Sequence, residues 1–104
     1  MIINCLQCGK SLYMEGGPGS VASISGGIMG DEYTDSYFFC VDCNVYTVEV
    51  YCDRFLGEGE SSLKGPISKE EGDKCVRLIS ECSEPWDKKC RCAAHLAYFH
   101  NTLD

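Results

Sequence analysis

Nine cysteines stand in a chain of 104 residues, and their spacing is the feature that can do chemistry. Cys5-Leu6-Gln7-Cys8 and Cys40-Val41-Asp42-Cys43 are two Cys-x-x-Cys turns, each followed by strand-like sequence. One such turn delivers two sulfurs from a tight bend, so two turns deliver four. Four converging thiolates are what a tetrahedral zinc ion takes, with Zn–S bonds of about 2.3 Å. A single pair could equally be a redox dithiol, but two pairs point to one four-thiolate metal site. A second candidate set, Cys82-x7-Cys90-x-Cys92-x2-His95, offers three thiolates and an imidazole.

The geometry of the second set constrains the local structure. On one continuous helix Cys90 and Cys92 would point about 200° apart and could not share an ion. A helix beginning near Arg91 removes the conflict: Cys90 stays in the preceding loop, while Cys92 and His95 lie on one face. The positive end of that helix favours thiolates. Lys88, Lys89 and Arg91 would offset the excess negative charge. The competing reading makes Cys92, His95, Leu96 and Phe99 the buried face of an amphipathic helix. Cys52 and Cys75 are read as core thiols and stand as reserve ligands in place of His95. His100 falls off the His95 face and is expected at the surface.

Composition limits the classes of function. The formal charge is −7. A four-thiolate zinc site would add −2 and a three-thiolate, one-histidine site −1, for a total near about −10. Nucleic-acid binding draws on neutralised phosphates, so this balance argues against it. Met1-Ile2-Ile3-Asn4 runs straight into the first knuckle, and the cysteine count is odd. Reduced cytoplasmic thiols holding metal therefore fit better than a secreted disulfide scaffold. No apolar run approaches the roughly 20 residues that span a bilayer.

The elements that must position these ligands follow from the flanking sequence. Gly9 closes the first knuckle, where a positive φ is needed, and Asn44 holds the matching place in the second. Lys10 to Met14 can return as a strand. Residues 15–30 are rich in glycine and read as a loop, without the lysine or spacing of a phosphate-binding motif. Tyr33 to Phe39 is strand-like. Val45 to Phe55 is the clearest strand, with Tyr46, Val48, Val50 and Cys52 on one face. Residues 57–67 read as a linker. Ser68 and Glu71 form a capping box for a helix reaching about Cys82, weakened by Gly72. Cys75, Leu78, Ile79 and Cys82 make its apolar stripe. Trp86 is expected to pack over the second metal or against the first half.

Residues 1–56, with Cys5, Cys8, Cys40 and Cys43 as knuckles, resemble the zinc-ribbon families. The resemblance implies an antiparallel ribbon with those four thiolates as ligands, and it does not imply an activity. Cys5-x-x-Cys8-Gly9 is also similar to a rubredoxin knuckle, which would place iron at this site. The second knuckle lacks the proline and glycine usual in that family. The expected fold is a small metal-stabilised α+β chain. It comprises a zinc ribbon (1–56), a linker (57–67) and a helical hairpin with the second site (68–104), packed as one compact unit.

The functional expectation is a cytoplasmic zinc protein of structural or interaction type, holding two zinc ions and working on another protein. Both sites would be closed by four protein ligands, which leaves no position for a catalytic water. Were His95 not a ligand, an open three-thiolate site with Glu84 or Asp87 as base would be the route to an enzyme. An iron electron carrier and a transcription-associated ribbon are the alternatives.

Overall fold

The computed structural model describes residues 3–13, 20–54, 57–100 and 102–103. The strands are β1 (Ile3–Asn4), β2 (Ser11–Tyr13), β3 (Ala22–Ile28), β4 (Asp31–Cys40), β5 (Val45–Asp53) and β6 (Glu60–Ser68), followed by α1 (Lys69–Ser80) and α2 (Ala93–Tyr98). β1 and β2 form a two-stranded antiparallel ribbon, and β3 to β6 form an antiparallel sheet in chain order. This is the expected α+β class with antiparallel sheets and two helices.

The sheet is larger than the sequence suggests. Residues 22–28, read as part of a glycine-rich loop, form β3 against the Asp31–Tyr37 stretch of β4. Its side chains alternate: Ile24 is buried, while Ser23 and Ser25 meet Ser36 and Thr34 on the other face at 3.3 and 2.8 Å. Gly26 is in this strand because nothing larger fits. A Cβ there would lie 2.6 Å from Leu103 Cδ2 and 2.8 Å from the Phe99 ring. Residues 14–19 of the same stretch lie outside the described residues.

Residues 60–67, read as linker, form β6 against β5 together with the helix cap Ser68. Their side chains are exposed except for half-buried Ile67 and give no apolar alternation, so the backbone ladder rather than burial defines the strand. β6 runs directly into α1, where the Ser68 side chain caps Glu71 N–H at 3.3 Å. Only this half of the capping box forms, since Glu71 instead faces Lys74 at 3.8 Å.

One face of the sheet receives the helices. Ile24, Tyr37, Tyr46, Val48, Ile79 and Phe99 form the core there, with Cys75 and Val76 packed against it. Burying each large apolar side chain contributes roughly 1.5–3 kcal/mol. Gly72 is buried because α1 crosses directly over Tyr46, whose ring occupies the space a Cβ would take. On the opposite face Thr47, fully buried, accepts Leu6 N–H at 3.2 Å and ties the β1–β2 turn to β5.

Candidate metal centres

The first knuckle is the turn between β1 and β2. Gly9 N–H donates to Cys5 O at 2.9 Å and Cys5 N–H to Lys10 O at 2.8 Å. Gly9 closes the bend at φ 80°. The second knuckle joins β4 to β5, with Asn44 N–H on Cys40 O at 2.8 Å and Asn44 at φ 61°. Both positions adopt the left-handed geometry expected from glycine and asparagine there. The ribbon turn and the sheet end meet, and Cys5, Cys8, Cys40 and Cys43 offer four sulfurs all within 4.8 Å of one another.

The spacing fits a shared ion rather than a covalent bond. Sulfurs on a tetrahedron with metal bonds of about 2.3 Å stand about 3.8 Å apart. Cys8 and Cys40 Sγ are 3.8 Å apart, whereas a disulfide would bring them to about 2.05 Å. All nine cysteines are free thiols. Gln7 N–H points at Cys5 Sγ at 3.4 Å. At the surface Lys10 pairs with Asp42 at 2.9 Å and bridges the two knuckles. Cys5 and Cys40 are buried, Cys43 is half-buried and Cys8 is exposed.

The cluster's charge is unbalanced without a cation. Burial opposes ionisation of Cys5, but the Cys8 and Gln7 peptide N–H groups and the neighbouring thiols outweigh it, bringing the pKa to about 7. Contact with Cys8, then burial and the other sulfurs, pushes Cys43 up to about 12. Four adjacent sulfurs cannot all ionise against one another, and a divalent ion removes that conflict.

The second cluster gathers Cys82, Cys90, Cys92 and His95, with donor atoms again within 4.8 Å. α1 ends at Ser80, and the turn from Ile79 O to Cys82 N–H at 3.0 Å swings the buried Cys82 off the helix. Cys90 lies in the loop, as the wheel argument requires. α2 starts at Ala93 with Cys92 as its cap, and the Cys92 sulfur accepts His95 N–H at 3.4 Å. That peptide N–H leads the influences lowering the Cys92 pKa. Burial, with the Cys92 and Cys90 thiols adding to it, pushes Cys82 up to about 11. Cys82 and Cys90 Sγ are 3.7 Å apart, and His95 Nδ1 is 3.3 Å from Cys82 Sγ.

The His95 ring is fully buried and fixed at both nitrogens. Nε2 is 2.6 Å from the carbonyl oxygen of Ser25. A carbonyl only accepts, so Nε2 carries the proton, and in the neutral ring Nδ1 keeps its lone pair toward the sulfurs. This outer hydrogen bond is the arrangement that orients a metal-ligating histidine. Ser25 also donates its N–H to Pro85 O at 2.8 Å, so the outer edge of β3 is clipped to the second cluster. The sequence carried no signal for this tie.

The remaining residues singled out in the sequence sort themselves around the clusters. Cys52 is buried and Cys75 lies against the core, and neither joins a donor group. His100 is exposed. The basic run has local partners: Lys88 pairs with Glu32, and Arg91 donates to the Lys88 and Cys90 carbonyls at 3.0 Å each. Trp86 is not buried over the second cluster or against the first half. It is 71% exposed, lies in the turn closed by Asp87 N–H on Glu84 O at 3.0 Å, and lines a cleft beside Val21. Among the described residues, no helix is long and apolar enough to cross a membrane. Comparison with protein families, with curated proteins and with solved structures gives no match.

Proposed function

We propose that the chain is a zinc protein of structural and interaction type. One ion would sit on Cys5, Cys8, Cys40 and Cys43, and a second on Cys82, Cys90, Cys92 and His95. The observation that carries this reading is His95, whose Nε2–H on Ser25 O leaves Nδ1 directed at three sulfurs. Each donor set has four members, which fills a tetrahedral ion and leaves no place for a catalytic water. Bound zinc would cross-link the β1–β2 turn to the β4–β5 turn. A second ion would join the end of α1, the following loop and α2. Apparent zinc binding of roughly 10–16 kcal/mol in small peptides makes such links comparable to a whole domain's stability. Nine free thiols suit a reducing compartment, which supports a cytoplasmic location.

The partner proposed is another protein. Trp86 and Val21, 71% and 56% exposed, stand together beside a shallow cleft, and exposed aromatic surface of this kind marks interaction sites. The test is native mass spectrometry with elemental analysis of the purified protein and of a Cys90→Ser/Cys92→Ser variant. Two zincs falling to one supports the reading; a single zinc in the parent chain contradicts the second site. Iron with visible charge-transfer absorption would favour the electron-carrier alternative, to which four thiolates and the Gln7 N–H on sulfur are also suited.

A further inference from the structure

Among the described residues, Asp35 is the one charged side chain that is buried on the sheet face beneath the helices. Asp35 of β4 is 9% exposed and sits in register between Ile24 and Val50. Tyr98 of α2 donates its hydroxyl to Asp35 Oδ2 at 2.6 Å. Tyr37 stands 2.7 Å from the Tyr98 oxygen and is the donor in that pair, because the single Tyr98 proton is already committed to Asp35. Burial leads the influences that push both tyrosines well above the usual phenol range, which keeps them protonated donors.

That hydroxyl holds one oxygen of the carboxylate. A carboxylate accepts about four hydrogen bonds, and among the described residues Tyr98 is its only donor. None of the ion pairs among those residues includes it. No buried side-chain oxygen among the described residues lacks a partner, so the Asp35 oxygen that Tyr98 does not hold opens to a cleft, where a ligand can reach it. Asp35 fronts a cleft of about 420 Å³ between α1, α2 and the sheet, walled by Ile28, Tyr37, Leu78, Tyr98 and Phe99.

We infer that this cleft binds a small organic monocation, a primary ammonium group carrying an apolar body. The ammonium donates to the Asp35 oxygen that faces the cleft in a charge-assisted hydrogen bond. The tyrosine and phenylalanine faces attract its charge, and the apolar walls hold its body. An anion is excluded by Asp35, the one charged group on the buried wall. Exposed Lys64 lines the same cleft and selects against a second positive charge on the ligand. The site contains none of the eight clustered donors, but Phe99 stacks on His95 at 5.7 Å, so the site is tested in the metal-loaded protein.

The test titrates phenethylammonium chloride, and separately neutral 2-phenylethanol, into ¹⁵N-labelled metal-loaded protein. The expected result is saturable shifts at Ile28, Leu78 and Phe99, with the ammonium at least about tenfold tighter than the alcohol. Asp35→Asn should bring the ammonium down to the level of the alcohol, and Lys64→Met should leave or improve its binding. Equal affinity for the two probes overturns the inference, whether or not the Asp35 variant folds. So does the absence of saturable shifts at the cleft, or a folded Asp35→Asn protein that keeps parent affinity.

Discussion

Gly72→Ala should destabilise this protein, although glycine inside a helix ordinarily invites that replacement. Alanine would gain up to about 1 kcal/mol in helix propensity. At this position, however, the new Cβ would fall on Tyr46, 2.6 Å from Cγ and closer still to Cδ2. Carbon atoms rest at about 3.5–4.0 Å, so ring and helix must part by more than about 1 Å. The ring has little freedom to retreat. It is 6% exposed, its hydroxyl donates to Asp73 Oδ1 at 2.6 Å, and Phe39 lies 4.9 Å away centre to centre. Overpacking of this kind costs about 1–3 kcal/mol, and with both ends of the contact pinned the upper half applies. The net loss is about 1–2 kcal/mol, a fall in Tm on the order of 5–15 °C for a chain this size. The assay is thermal unfolding by circular dichroism at fixed free zinc, because bound metal raises Tm by mass action. Gly72→Ala/Tyr46→Leu should recover part of the loss. An unchanged or higher Tm for Gly72→Ala alone refutes the packing argument.

The two clusters should release metal in a set order under a chelator. The first, with Cys8 exposed, should empty before the second, whose Cys82 and His95 are buried. Mass-spectrometric mapping of newly alkylated cysteines reads that order, and Cys82, Cys90 or Cys92 reacting first contradicts it. Emptying the second cluster should also free the outer edge of β3. Hydrogen exchange at Ser25 N–H, bonded to Pro85 O, should then accelerate while that at Val48 in the sheet interior does not; protection unchanged at Ser25 would show that the clip is independent of the metal. Stability should decline in alkali. Burial, then the contact with Asp73, raises Tyr46 to about 12 against about 10 unfolded, and Tyr37 and Tyr98 lie higher still. A raised phenol stabilises the fold fully below pH 10 and loses that contribution as pH climbs toward 12. Denaturant midpoints flat from pH 9 to 12 would count against those tyrosines being protonated in the core.

Where the cysteines stand determined what could be read in advance. Each knuckle is a local turn, so Gly9 and Asn44 betray its backbone, and only the meeting of the two turns needed the sheet. The second donor set was legible because three of its members lie within one loop and the first turn of α2, where helix geometry restricts the answer. β3 and β6 were hidden for different reasons. In β3 the glycines that suggest a loop include Gly26, which is there because Phe99 and Leu103 press on the strand. In β6 the side chains are exposed except for half-buried Ile67, and only hydrogen bonds to β5 define the strand. Gly72 likewise reads as a weak point in α1 until Tyr46 is seen beneath it. The tie from His95 to Ser25 and the burial of Asp35 join residues far apart in the chain, and no periodicity carries such information. Trp86 is expected inside because a large indole usually is, whereas it sits exposed in the Glu84–Asp87 turn.

X-ray absorption at the zinc edge of the purified protein tests the central claim most directly. The clusters together offer seven sulfurs and one imidazole nitrogen to two ions. The account predicts an average shell of about 3.5 sulfurs near 2.3 Å and about 0.5 nitrogen near 2.0 Å, with no bound water. A shell dominated by oxygen, or one with clearly fewer sulfurs per zinc, would contradict two closed thiolate centres.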